Sequence, residues 1–450
     1  MKEVILRNYQ FSILLFIWAA AGAYAGLLAY PIVLGSVVLL KMNDRDSEIL
    51  IGFFFVMILS DNLDPSTAWA KGLKNLYILM MGAFLILDRE KFAPLNRLYK
   101  RFIPFFVVAI IAMVFSESIF TSFQKTVSYI LIFLIVPNYV QMIYREEGKE
   151  FFKDLLYFAF GIIVVGYLMR FYLPTMAFSH GGRLRGIFGN PNGLGIYLIM
   201  NFVLFSVVIN YYKDLFSRQE RIMYYMVFAF IIFATGSRTT MAAVLLFLFY
   251  LRFYKMSPLI GFVVFIGSIV SIQYVVPNIP LVLNSLGLQE SLRTETLEQG
   301  SGRTVAWEFA WETIKESPIL GKGISFDEYL MNKPENKLML TRAGHEGGVH
   351  NTYLILWLNT GLIGVLFFFR AFIGTFLRAA KLTKVAIPVM LTVMFSVTFE
   401  PWLASSLNPY MSVFLVVFTM ISQPEFLEKT EDEPEEAEPE ELELVEEQAI

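Results

Sequence analysis

Residues 350–369 read HNTYLILWLNTGLIGVLFFF, twenty positions without a charged side chain. A bilayer-spanning helix needs about 20 mainly apolar residues, and this run predicts one that opens on a His-Asn pair and carries Gly361 and Gly364 inside it. Working outward, similar runs, some short, recur near 11–24, 26–40, 48–60, 74–87, 102–117, 121–142, 152–173, 191–211, 222–235, 239–254, 258–276, 385–398 and 404–421. The expected fold is therefore an all-α polytopic membrane protein of about 12–14 transmembrane helices. Its one long polar stretch, about 277–349, is expected to be a large outer loop carrying amphipathic helices.

Composition points the same way. The chain is 56% hydrophobic and 16% aromatic, with 44 Phe and only 17% charged residues. At a mean hydropathy of +0.58, a water-soluble globule would expose mostly hydrocarbon. The first apolar run lacks a small-residue cleavage site, so no cleavable signal peptide is expected. With no cysteine and only His180, His345 and His350, disulfides and thiolate metal sites are excluded, and a multi-histidine metal centre is not expected.

Lysines and arginines collect in alternate loops: Lys41 and Arg45; Arg89 to Arg101; Arg145 to Lys153; Lys213 to Arg221; Arg252 and Lys255; Arg370 to Lys384. One orientation satisfies them all, with both termini cytoplasmic. The loops 61–73, 117–120, 174–190, 236–238, 277–349 and 399–403 then face outward. Residues 1–424 read as one membrane domain. The stretch 425–450, acidic and interrupted by proline, is expected to be a disordered cytoplasmic tail. No internal repeat of fixed period is evident.

The outward loops carry arginine at conspicuous places. In 174–190, PTMAFSHGGRLRGIFGN, Arg183 and Arg185 precede Asn-Pro-Asn at 190–192, a helix-start signal. Glycines at 181, 182, 186 and 189 would let backbone approach a ligand. The positive end of the helix beginning near 191 would favour a phosphate beside these arginines; headgroup anchoring is the plainer alternative. Thr-Gly-Ser-Arg at 235–238 leaves almost no loop between two apolar runs, which puts Arg238 at the hydrocarbon boundary, partnered or snorkelling. From Arg303, the positions Trp307, Ala310, Trp311 and Ile314 recur at helical spacing opposite Glu308, Glu312 and Lys315, an amphipathic helix suited to lying on a membrane interface. A histidine at a helix start is commonly just an interfacial residue. His350, however, keeps company with four arginines on one face, and fixed cations favour the neutral, proton-accepting imidazole of a general base. Glu400, in TFEPWLASS, could counter the arginines or orient that histidine, with Asn351 as a second supporting residue.

The strings RLRGIFGNPN, TGSR, SGR with its following tryptophans and SPILGKG, and HNTYLILWLNTGLIG occur in that order, all in outward positions. Together they resemble the O-antigen ligase and polymerase superfamily over about 183–369, and HN followed by nine residues and G-x-x-G resembles the ligase branch. The resemblance implies metal-independent, inverting transfer of a glycan from undecaprenyl pyrophosphate to an acceptor sugar hydroxyl. The reaction would occur at the periplasmic face of the bacterial cytoplasmic membrane, in polysaccharide or lipopolysaccharide synthesis. By the same resemblance, His350 is the catalytic histidine, Arg303 the essential arginine of the large loop, and Arg183, Arg238 and, less closely, Arg185 the pyrophosphate contacts. No cofactor and no nucleic-acid partner are expected. The partners are a carrier-linked donor, membrane lipids, and lipid A–core or a second carrier-linked glycan as acceptor. A polymerase would use the same donor chemistry. A transporter of a lipid-linked glycan or small anion is the alternative class, opposed by the clustering of polar residues on one face.

Overall fold

A computed structural model describes residues 2–179, 182–253, 258–271, 303–342 and 347–427. Each of the apolar runs forms a helix. They are α1 (Lys2–Ala25), α2 (Ala29–Met42), α3 (Asp46–Asp61), α4 (Trp69–Leu87), α5 (Leu98–Val114), α6 (Ile119–Glu147) and α7 (Glu150–Tyr172). After these come α8 (Pro191–Tyr211), α9 (Arg218–Thr235), α10 (Arg238–Arg252) and α11 (Pro258–Val270). The polar stretch contributes α12 (Arg303–Glu316), α13 (Phe326–Asn332) and α14 (Pro334–Arg342). Last come α15 (Thr352–Ala379), α16 (Ala386–Phe399) and α17 (Pro409–Ser422). The expectation of an all-α polytopic membrane protein is borne out, and six spans among the described residues are long and apolar enough to cross a bilayer by themselves. Helices α8 and α17 lie at the centre, buried along nearly their whole length. Phe16, Leu28, Phe171, Phe233, Leu245 and Leu366 are exposed on the periphery, an apolar surface that a bilayer would cover.

The run 11–40 is two helices. Trp18 Nε1 donates to Ser36 Oγ at 2.8 Å, whereas 18 residues of continuous helix would separate them by about 27 Å. The chain reverses through the single turn Gly26–Leu28, where Gly26 takes φ +58°.

One end of the bundle is a matched ionic network. Lys41 lies 3.1 Å from Asp46 and 2.7 Å from Asp88, while Lys91 lies 2.7 Å from Asp46, 3.1 Å from Asp44 and 3.2 Å from Glu146. At the same end the chain stays packed beyond residue 424. Pro424–Phe426 forms a 3-10 turn, Phe426 is buried against Tyr144 and Phe152, and Tyr212 Oη donates to the Phe426 carbonyl at 2.7 Å. Glu425 accepts from Gln141 at 3.0 Å and pairs with Arg145 at 3.2 Å. The packed body thus runs to Leu427, because one aromatic side chain supplies the buried area that the acidic sequence around it lacks. Residues 428–450 lie outside the described residues, as do His180, His345 and the loop 272–302.

Helix α15 breaks at Gly361, which has φ +66° and ψ −179°. The break deprives the carbonyls of Leu358 and Asn359 of their usual donors four residues on, Leu362 N and Ile363 N. The segment Pro318–Gly323 restores all four groups. Lys322 N and Gly323 N donate to the Leu358 and Asn359 carbonyls at 2.9 and 2.8 Å, and Leu362 N and Ile363 N donate to the Pro318 and Ile319 carbonyls at 2.8 and 3.3 Å. Such complete pairing is what buried irregular backbone requires. A Cβ on Gly361 would overlap the Ile319 carbonyl oxygen, and one on Gly321 would lie 2.5 Å from Gly361 N. The glycines of SPILGKG and of the GLIG string therefore dock onto each other. Beyond the break, residues 362–379 make a span of about 27 Å, close to a hydrocarbon core.

Candidate functional site

Helix α12 lies against the first part of α15, burying Ala306, Ala310 and Ile314. Ala310 and Ile314 of the expected stripe lie in this contact, joined by Ala306; the alanines permit close helix approach, and the two tryptophans flank the contact. Trp307 Nε1 donates to the Val349 carbonyl at 2.8 Å, and Trp311, 44% exposed, meets Trp357 edge-on with centroids 5.6 Å apart. The helix accordingly packs on protein rather than lying free at an interface.

That packing carries Arg303, the first residue of α12, to Glu400 at the end of α16. Arg303 Nη2 is 3.3 Å from Glu400 Oε1, and Glu400 Oε2 is 3.5 Å from His350 Nδ1. Glu400 is 5% exposed, a depth at which a carboxylate needs paired cations or donors. Thr352 Oγ1 donates to the Glu400 carbonyl at 3.0 Å and ties α16 to the start of α15. Asn351 is the N-cap of α15, accepting from Leu354 N at 3.0 Å. His350, just before it, has φ +49°, a left-handed conformation uncommon outside glycine and often found at functional positions. Its Nε2 faces the Gly347 carbonyl at 2.9 Å.

Arg183 approaches from the loop before α8. Its Nε donates to the Thr235 carbonyl at 2.8 Å and Nη2 to Asn192 Oδ1 at 2.9 Å. Thr235 and Gly236 end α9 in a left-handed cap (φ +58° at Gly236), and Ser237 caps α10, which begins at Arg238. Burial, then the like charge of Arg238, pushes the Arg183 guanidinium below its usual range, with Glu400 opposing. Three separate segments are thus electrostatic neighbours. Among the described residues, neither Arg183 nor Arg238 has a carboxylate within ion-pair distance.

Arg185 does not join them. Its guanidinium donates to the carbonyls of Thr175, Met176 and Gly189 at 3.2, 3.0 and 3.2 Å, bracing its own loop. Two of the loop glycines serve packing in the same way: Gly186 lies against Gly166, and a Cβ at Gly189 would come 2.5 Å from the Asp61 carbonyl; Gly181 lies outside the described residues. Asp61 and Asn62, outside the motifs of the arginine-bearing loops, hold this loop. Asp61 Oδ2 accepts from Gly189 N at 3.1 Å and Tyr410 Oη at 2.8 Å, and Asn62 Nδ2 donates to the Ile187 carbonyl at 2.5 Å. The available signal was an Asp-Asn pair closing an apolar run on the arginine-bearing side.

The fold and this cationic corner define a polytopic membrane protein with a polar site at one end of its bundle. Residues 223–369 match the O-antigen ligase family, so the resemblance seen in the motifs stands, and an O-antigen ligase/polymerase-type function is supported in general terms. The matched region contains Arg238, Arg303, His350 and the Gly321–Gly361 crossing; Arg183 and Glu400 lie outside it. An uncharacterized protein of Haemophilus influenzae is 39% identical over 59 residues, which is 13% of this chain and 15% of that relative.

Proposed function

We propose that this protein transfers a glycan from undecaprenyl pyrophosphate to an acceptor sugar hydroxyl, with inversion and without a metal, at the periplasmic face of the cytoplasmic membrane. The observation that carries this reading is Glu400 bridging Arg303 and His350 from a third segment. A carbonyl oxygen only accepts, so before the acceptor binds Nε2–H donates to the Gly347 carbonyl. When an acceptor hydroxyl replaces that carbonyl, a ring carrying its proton on Nδ1, toward Glu400 3.5 Å away, frees the Nε2 lone pair for the substrate. The acceptor oxygen attacks the anomeric carbon as the bond to the pyrophosphate oxygen breaks, and the hydroxyl proton passes to Nε2. Arg183, Arg238 and Arg303 neutralise the charge growing on the leaving pyrophosphate, a role suited to guanidinium groups in a dry site. Asn351 fixes the helix start from which the imidazole projects.

Purified protein, given the carrier-linked donor and either lipid A–core or a second carrier-linked glycan, tests this reading. Glycan on lipid A–core identifies a ligase, and longer carrier-linked chains identify a polymerase. No transfer to either acceptor, with donor movement across acceptor-free proteoliposomes, would replace both with transport. Loss of transfer on adding a chelator would contradict the metal-free scheme.

A further inference from the structure

The Gly347–Gly348 turn, whose first carbonyl meets His350 Nε2, also lines a cavity of about 230 Å³ against α13 and α14. Its polar lining is Asp327, Glu328, Asn332, Lys337 and Thr341. We propose that this cavity is the acceptor subsite and holds one sugar ring of the acceptor glycan by its hydroxyl groups, a proposal that rests on the transfer reading above.

Three observations support it. The first is the orientation of the imidazole. Nδ1 faces Glu400 and the arginines, whereas Nε2 faces the Gly347 carbonyl, and both Gly347 and Gly348 line the cavity. The Gly347 oxygen, 2.9 Å from Nε2, occupies the place that an acceptor hydroxyl would take. Gly347 and Gly348, at φ +106° and +84°, form a turn that only glycine adopts readily, and a Cβ at Gly348 would come 3.4 Å from Nε2.

The second is charge. The arginine side suits a pyrophosphate, while Asp327 and Glu328 on the cavity side repel one. Carboxylates accept from sugar hydroxyls, and lysine, asparagine and threonine donate to them, so the lining selects a neutral or amino sugar. The third is that Asp327 is held in place. Asn359 Nδ2 donates to Asp327 Oδ1 at 2.9 Å, and Asp327 N donates to Asn359 Oδ1 at 3.3 Å. Asn359 lies just before the Gly361 break, so the docking of the large loop also sets the cavity wall. Lys125 pairs with Glu328 at 2.9 Å. Burial, then the charge of Glu328, pushes the Asp327 carboxyl up to about 6.

The full chain in lipid nanodiscs would be titrated with methyl glucoside, methyl galactoside and methyl N-acetylglucosaminide by saturation-transfer NMR, and acceptor and donor KM would be measured in the transfer assay. Asp327→Asn should weaken glycoside binding and raise acceptor KM by about tenfold, the scale of one hydrogen bond to a charged group, with donor KM unchanged. Thr341→Tyr, which fills the cavity from the exposed helix α14, should abolish glycoside binding, while His350→Ala, which removes one hydrogen bond to the sugar, should keep it saturable and within about tenfold of wild type. Glycoside binding equal to wild type in both cavity variants, or no saturation by any of the three in the wild type, would overturn the subsite. Transfer surviving in His350→Ala would instead sink the catalytic reading and leave the binding result standing.

Discussion

The two ends of the helical bundle handle charge differently. At one, Lys41 and Lys91 converge on Asp46, with Asp44, Asp88 and Glu146 around them, so each cation has a carboxylate within contact distance. At the other, Arg303 pairs with the buried Glu400, while Arg183 and Arg238 have no carboxylate within ion-pair distance among the described residues. Matched charge fastens loops to helix ends. Excess positive charge beside an oriented imidazole is an arrangement that an anionic substrate would complete.

That contrast can be broken experimentally. His350→Ala should lower the transfer rate by about 10²–10⁴-fold, the usual contribution of a general base, with circular dichroism and elution volume unchanged; a rate within tenfold of wild type would remove the imidazole from the chemistry. Arg303→Lys should cost roughly 10–100-fold, because an ammonium cannot reproduce the planar two-pronged contact, and full activity would mean that charge alone suffices there. Gly361→Ala should lower thermal stability by at least the roughly 1–2 kcal/mol of a left-handed residue and speed trypsin cleavage at Lys322. Unchanged cleavage would show that the Gly321–Gly361 crossing does not hold the large loop.

At the matched end, Asp46→Asn should leave kcat within about twofold and lower stability by about 1–3 kcal/mol, less than a fully buried pair because its lysines are partly exposed. A large loss of kcat with normal stability would abolish the distinction between the ends. The smallest effect concerns pH. Asp327 is raised to about 6 in the folded protein, against about 3.9 for a free aspartate, so the native state binds its proton more tightly. Its contribution to stability is complete below about pH 4 and lost as pH rises through about 6. Melting curves of Asp327→Asn should therefore be flatter across that window than those of wild type, and parallel curves would count against the assignment.

Much of the fold was legible because spanning helices announce themselves by length and apolarity. The hairpin within 11–40 was not, since hydropathy is the same for one bent helix or two, and only the Trp18–Ser36 contact distinguishes them. The chemistry-bearing types on the site face, Arg303, His350 and Glu400, stood out as polar residues at the edges of apolar runs. Asp61, Asp327 and Asn359 did not, because the partner that gives each its role is distant in sequence. The glycines at 321 and 361 were visible as glycines, but a turn and a mutual docking leave the same mark in a sequence.

The tie of α12 to α15 at both of its ends, through Trp307 and Val349 above and through the restored backbone pairs below, has a mechanical consequence. Guanidinium and imidazole belong to a cassette of about one-seventh of the chain, spanning residues 303–369, whose internal spacing is insulated from drift elsewhere. Outer helices can then adapt to a different lipid thickness or a bulkier carrier without retuning the pair.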